Sequence, residues 1–293
     1  MLSLYDIASD RPVLIAGPTA SGKSDMALQI VEQSGGVIIN ADALQVYDNW
    51  HVLTARPSPE DQARAKHLLY GHIAFDTPYS VGDWLRDVMD ILSGEKRPVI
   101  VGGTGLYFAA LTEGLAKIPP TPAPIREAAD KLLHENGLAV MRHALDTESL
   151  ERIDVNNPMR VQRAWEVLKA TGRGLASWQD ETPPPALPLS DVEAILIDAP
   201  KEWLNPRIEA RFDQMLAKGA LEEARANLDG WDPTRQSYKA IGAPELIAHL
   251  QGEMSLNEAR DAAIIATRQY AKRQRTWFKS RMRDWRVVEA TTI

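Results

Sequence analysis

Residues Gly17 to Ser24 spell GPTASGKS, a full match to GxxxxGK(S/T), set between an apolar run from Arg11 to Ala16 and an amphipathic stretch from about Lys23 to Gln33. A short buried strand, a glycine-bearing loop and a helix, in that order, are what give the motif its meaning. The loop must aim backbone N–H groups and a helix N-terminus at one cluster of phosphate oxygens. Lys23 adds a point charge, and the Ser24 hydroxyl can enter the shell of a Mg2+ ion. The motif specifies a diphosphate or triphosphate ligand and leaves the reaction open.

The flanking sequence repeats this alternation. Val37 to Asn40 (VIIN) and Pro98 to Val101 (PVIV) read as short apolar strands, with a helix from Val81 to Leu92 between them. Strands alternating with helices imply an α/β fold, a parallel sheet covered by helices. After Gly114 the character changes. A proline-rich exit leads into charged helical sequence up to about Trp178, and a second proline-rich connector precedes a returning strand, Val192 to Ile197. The expected division is a core of residues 1–115 and 191–293, with residues 116–190 as an inserted all-helical subdomain. Proline-rich connectors at both ends would let that lobe tilt as a unit. From Trp203 to Arg283 the apolar spacing of three and four is helical.

Composition excludes several chemistries. With no cysteine there are no disulfides or thiolate nucleophiles, and the six histidines lack metal-ligand spacing such as HExxH. The acidic opening residues do not resemble a secretory leader, and no apolar run approaches the roughly 20 residues a membrane helix needs. A cytoplasmic location without membrane contact is expected. The net charge of −7 hides a local reversal: from Arg268 to Arg283 there are seven basic residues and no acidic one. Such a run suits a polyanion better than the average charge does.

Two loops at strand ends carry candidate chemistry. Asp42, in NADALQVY, follows the second strand, where doubly wound proteins build their sites. By position it can be a general base, a metal ligand or a helix cap. Thr104, in VGGTGLY, offers a hydroxyl beside glycines that would let the backbone approach a ligand, or it caps the next helix. An NTPase usually places an acidic Mg2+ ligand at such a strand end, and here stand Gly102, Gly103 and Thr104.

GPTASGKS, ADALQVY with TARP (Thr54 to Pro57), VGGTGLY, NNPMRVQRA, RIEARFDQML, KAIG and TRQYAKRQRTWF occur in one order over nearly the whole chain. In these motifs the sequence resembles the tRNA dimethylallyltransferase family, the isopentenyltransferases that modify the adenosine beside the anticodon. The resemblance implies a P-loop NTPase-like, kinase-like core with a helical insertion. It also implies a channel that receives dimethylallyl diphosphate from one side and a flipped adenine from the other. Asp42 would accept a hydrogen bond or proton from the adenine N6 amine, with Thr104 holding the reacting groups. The diphosphate would lie on Gly17, Pro18, Thr19, Ala20, Ser21, Gly22, Lys23, Ser24 and Arg211, with Mg2+ on Ser24.

The implied tRNA contacts are Asp42, Ala43, Leu44, Gln45, Thr104 and Arg126, then Met159, Arg160, Val161, Gln162 and Arg163 on the inserted lobe. Lys239, Gly242, Lys272, Arg273, Gln274, Arg275 and Lys279 complete them. Two positions depart from the family's usual pattern: Arg56 stands in TARP where TAKP is common, and Ala243 follows KAIG where an aromatic residue often stands. The expected state is a monomer. Competing readings are prenyl transfer to free adenine nucleotides, a P-loop kinase or ATPase, and an RNA-binding protein with a vestigial phosphate loop. A nucleotide-only enzyme has no need of the lobe or the basic helix, and an NTPase lacks its strand-end carboxylate here.

Overall fold

Short runs of Val, Ile and Leu with no polar alternation can be satisfied only by burial on both faces, and they form the centre of a six-stranded sheet. The computed structural model describes residues 7–94 and 96–292; the acidic opening, residues 1–6, lies outside the described residues. The strands are β1 (Val13–Ala16), β2 (Val37–Asn40), β3 (His67–Leu68), β4 (Pro98–Gly102), β5 (Glu193–Asp198) and β6 (Arg286–Glu289). Their order is β3-β2-β4-β1-β5-β6, and every pairing is parallel. The class expected from the alternation is therefore the one observed.

Three elements match their expected extents closely: β2, the helix α1 (Lys23–Ser34), and α3 (Val81–Leu92), which follows the short α2 (Pro59–Arg64). Ser80 fixes the start of α3 by a capping box, its hydroxyl accepting from Asp83 N–H while the Asp83 carboxylate accepts from Ser80 N–H. The strand expected from Arg11 begins at Val13, because Pro12 has no N–H for the ladder and contributes only its carbonyl, which accepts from Glu193 N–H. Strands β3 and β6 were not foreseen.

Side chains alternate across the sheet. Val13, Ile15, Ile38, Val99, Val101, Ile195 and Ile197 share one core with α1 and with the C-terminal helices. Leu14, Ile39 and Ile100, of the opposite parity, are fully buried too. Trp84 donates its indole N–H to the Asn40 carbonyl and stacks on Tyr107, the ring centroids 4.4 Å apart. Tyr107 lies on α4 (Gly105–Thr112), directly after β4.

The chain divides into two compact units, residues 1–112 with 187–293, and residues 113–186. The second unit is helical: α5 (Ala123–His143), α6 (Thr147–Arg152), α7 (Pro158–Thr171) and α8 (Leu175–Asp180). It has its own core, in which Ala129, Met141, Val161, Ala164 and Val167 are shielded from water. The first unit continues with α9 (Lys201–Ala217), α10 (Ala220–Ala226), α11 (Ala243–Leu250) and α12 (Leu256–Arg281). Among the described residues no helix is long and apolar enough to cross a membrane.

Candidate active site

Three loops leave the carboxyl ends of adjacent strands β1, β4 and β2, the edge at which parallel sheets bind ligands. The first is the phosphate loop. Ala20 (φ 62°) and Gly22 (φ 89°) are both left-handed, which curls the backbone so that its N–H groups converge ahead of α1. The loop is tied internally by Ser21 N–H to the Pro18 carbonyl (3.3 Å) and by Lys23 Nζ to the same oxygen (3.2 Å). Arg207 Nε donates to the Ala20 carbonyl while its guanidinium stacks on Trp203.

Asp42 opens the loop after β2. Its backbone is held on both sides by Asn40, whose side chain accepts from Asp42 N–H (2.8 Å) and donates to the Asp42 carbonyl (2.9 Å). One carboxylate oxygen, Oδ1, accepts from Leu44 N–H at 3.0 Å. Residues 43–46 form a turn and not an α-helix, so Asp42 closes a local turn and caps no helix. Oδ2 faces Gly103 across the cleft edge: a Cβ at Gly103 would stand 3.5 Å from it.

Thr104 lies just before α4, and its hydroxyl accepts from Ala43 N–H (2.9 Å). Its backbone N–H donates to the Ala41 carbonyl (3.1 Å). The hydroxyl thus joins the β4 loop to the Asp42 turn and still has its own proton to donate. The neighbouring glycines serve packing, where the sequence suggested room for a ligand. A Cβ at Gly102 would collide with the Ala41 backbone, at Gly103 with the Gln274 amide, and at Gly105 with the Trp277 ring.

Between these loops, α9, α12 and residues 240–241 ahead of α11 runs a cleft. Thr19, Ala20, Asp42 and Arg211 give it a charged end, while Leu53, Ile208, Phe212, Met215 and Ile241 form an apolar wall. A ligand with a polyanionic head and a short hydrocarbon tail fits that division. The charges are close enough to act on one another. Burial, reinforced by the Arg211 charge and opposed by Asp42, lowers Lys23 to about 8. Burial also lowers Arg211, against the pull of Asp42 and Asp25, but a guanidinium stays charged at neutral pH. The phenols of Tyr70, Tyr107 and Tyr270 are pushed up, first by burial and then by the Asp42 charge, so all three remain neutral O–H donors.

A testable consequence follows from Lys23. Bound diphosphate favours the ammonium and raises its pKa, so binding takes up a proton above about pH 8, and affinity falls as pH rises through that value. Titration calorimetry with inorganic diphosphate in two buffers of different ionisation enthalpy should show this uptake, with at most about a tenfold loss of affinity per pH unit. A flat affinity from pH 7 to pH 9 would contradict it.

The described residues contain no cluster of three His, Asp or Glu that could cage a metal. Ser24 offers one exposed hydroxyl at the start of α1, beside Lys23. This donor set suits a hard cation that takes most of its ligands from phosphate and water.

The other expected contacts divide. Arg126, Met159 (78% exposed) and Arg160 are open on the helical unit, as are Lys239, Lys272, Arg273 and Lys279 on the first unit, with Arg275 partly so. Ala43 and Leu44 line the turn itself. Several positions need correction. Val161 is buried in the helical unit's core. Gln162 donates to Asp130 and Glu166, so this side chain braces its own unit, whereas Arg163 donates to Thr121 and stays exposed. Gln45 donates to the Thr54 and Ala55 carbonyls. Gly242 is buried with φ 97°, its Cβ position filled by Leu53 and Phe212. Gln274 is only 6% exposed and holds the phosphate loop instead of facing solvent. Arg207, Phe212 and Tyr270 were missed, although spacings of four along α9 (Arg207–Arg211, Ile208–Phe212) and α12 (Tyr270–Gln274) put them on faces already marked by the motifs.

Comparison with known proteins gives a consistent result. The family model described as IPP transferase matches residues 45–281, and one described as isopentenyl transferase matches residues 11–70. The chain is 60% identical over 288 residues to a tRNA dimethylallyltransferase of Ruegeria sp. (strain TM1040), covering 98% of this chain and 99% of that one. It is 62% identical over 285 residues to a tRNA dimethylallyltransferase of Cereibacter sphaeroides (strain KD131 / KCTC 12085), covering 97% and 91%. Among solved structures, the full-length tRNA isopentenylpyrophosphate transferase of Bacillus halodurans superposes with a TM-score of 0.68 at 28% identity, covering 96% of this chain and 90% of that one.

Proposed function

The chain belongs to the IPP transferase family, and from that premise we propose that it moves the dimethylallyl group of dimethylallyl diphosphate onto N6 of the adenosine beside the anticodon, position 37, of tRNA. The observation that carries this reading is the single cleft in which a phosphate loop and Arg211, an apolar wall and the Asp42 carboxylate meet. The bond between N6 and C1 of the donor forms, the bond between C1 and the diphosphate oxygen breaks, diphosphate departs, and N6 gives up one proton.

Each residue has a part that its position supports. Lys23, Arg211 and the N–H groups of the phosphate loop not already spent on Gln274 and Pro18 hold the diphosphate and its growing charge. The apolar wall from Leu53 to Met215 takes the prenyl chain and excludes water. Asp42, fixed through Oδ1 by Leu44, keeps Oδ2 for the N6 proton. Thr104 holds the turn that carries Asp42. An exocyclic amine is a weak nucleophile, so alignment and charge stabilisation supply most of the rate. The Ser24 hydroxyl would hold Mg2+, which would neutralise diphosphate charge and so ease its departure. Because a stacked adenine cannot reach such a cleft, the base enters flipped.

On residues 113–186 the exposed side chains Arg126, Met159 and Arg160, and on the first unit the outer face of α12, are two separate surfaces assigned to the anticodon stem-loop. The enzyme acts in the cytoplasm as a monomer. Transfer to free adenine nucleotides, the nearest competing reaction, leaves both surfaces without a purpose. The deciding experiment incubates the protein with labelled dimethylallyl diphosphate, Mg2+ and either bulk tRNA or AMP. Label should enter tRNA alone; label in AMP would replace this reading with the nucleotide one.

The basic outer face of α12 gives a second test. Raising salt should weaken tRNA binding steeply, and Lys272→Ala with Arg275→Ala should make the log–log slope shallower by roughly one to two units. Donor affinity should hold. An unchanged slope in filter-binding titrations would mean the face is merely solvated.

A further inference from the structure

Helix α12 has two faces with different work. Lys272, Arg273 and Lys279 point outward, while Thr267 and Tyr270 line the cleft and Gln274 and Trp277 press into the loops at its floor. Gln274 is unusual among them. It is a buried polar side chain whose amide is spent on two backbone groups from different loops. Its Oε1 accepts from Thr19 N–H in the phosphate loop (3.0 Å), and its Nε2 donates to the Gly103 carbonyl in the loop after β4 (2.9 Å).

Those loops hold the two reaction partners. Thr19 stands at the entry to the loop whose following N–H groups cradle the donor diphosphate, its own N–H being taken by Gln274. Gly103 abuts Asp42 Oδ2, and the next residue, Thr104, fixes the Asp42 turn through Ala43. No other side chain among the described residues is seen to hydrogen-bond both loops. An amide accepts at one end and donates at the other, as these two contacts require. Gly103 has no Cβ because the Gln274 amide occupies that space.

Resting on the proposed reaction, we infer that Gln274 is a positioning residue that sets the distance between the donor-holding loop and the acceptor-activating carboxylate. It acts through the two loops its amide binds. Its removal misaligns two reactants that each remain bound, and a displacement near 1 Å between them costs about 100-fold in rate.

Gln274→Leu keeps the approximate volume and removes both hydrogen bonds. Its single-turnover transfer rate should fall about 100-fold, with Kd for dimethylallyl diphosphate and for tRNA within roughly threefold of wild type. Gln274→Glu gives a finer reading. As a carboxylate it still accepts from Thr19 N–H but repels the Gly103 carbonyl; once protonated it can again accept at one end and donate at the other. Burial and the Gly103 carbonyl both raise its pKa, so the protonated form gains as pH falls. The ratio of variant to wild-type rate should therefore climb by tenfold or more between about pH 8 and pH 5.

A purely structural role would lower thermal stability and give a flat ratio. Hydrogen exchange at the Thr19 amide, faster in Gln274→Leu, supplies a readout independent of activity. If Thr19 stays protected, or if wild-type rates persist in both variants, or if the loss appears only in donor Kd, the inference is overturned. Should wild type prenylate AMP and not tRNA, the reaction reading fails, while exchange at Thr19 and the pH ratio on AMP still decide the role of Gln274.

Discussion

Asp42→Asn should lower the single-turnover rate of prenyl transfer by about two to four orders of magnitude while both substrates still bind. The substitution is well matched to its surroundings. Asn retains an Oδ1 that can accept from Leu44 N–H, so the turn held by Asn40, Leu44 and Thr104 persists. What disappears is the charge and the proton-accepting oxygen at Oδ2. A capping role would make the variant nearly silent, since Asn caps as well as Asp, and no helix follows Asp42 to be capped. If the carboxylate chiefly orders Mg2+, raising the metal concentration should recover most of the rate. Transfer to bound tRNA across a Mg2+ series separates these outcomes, and near-wild-type rates at ordinary Mg2+ would remove Asp42 from the chemistry.

Lys23→Ala should weaken dimethylallyl diphosphate by about 100-fold, the scale of a charge-assisted hydrogen bond removed from a buried site. tRNA affinity should change by less than about threefold. The loop should survive the change, because Ser21 N–H still reaches Pro18, Gln274 still holds Thr19, and Arg207 still holds Ala20. Arg211 remains as a second cation, which limits the loss. Equilibrium binding of each substrate alone is the measurement. Equal weakening of both would mean that Lys23 supports the cleft generally and does not face the diphosphate.

The parts of the site that could be read beforehand are those whose chemistry is local in sequence. GPTASGKS carries strand, loop and helix within a few residues, and Asp42 and Thr104 follow strands dense in Val and Ile. Gln274 and Arg207 act on those loops from distant stretches, as Tyr270 lines the cleft from one, and neither spacing nor composition ties Gln274 to Gly103, 171 positions away. Arg211 entered through family resemblance alone. The glycines of VGGTG were read as making room for a ligand, and the room proves to be filled by Ala41, Gln274 and Trp277. Among the strands, β3 and β6 escaped notice for a plain reason. They are edge strands, β3 two residues long and β6 with three of its four residues exposed, so neither has a buried run to betray it.

The pairing of β1 with β5 joins Val13 to Glu193 and Ala16 to Leu196, with residues 113–186 made between them. As the chain is synthesised, β1 can meet β4 early and then waits with its other edge open. At about 5–20 residues per second the wait is on the order of ten seconds. An apolar strand with unpaired N–H and C=O groups is a template for the wrong partner during that time. The helical unit, with a core of its own, can be folded before the sheet closes. A nascent chain halted once residue 186 has left the ribosome would therefore have its helical unit free to fold on its own core while the sheet is still open along β1.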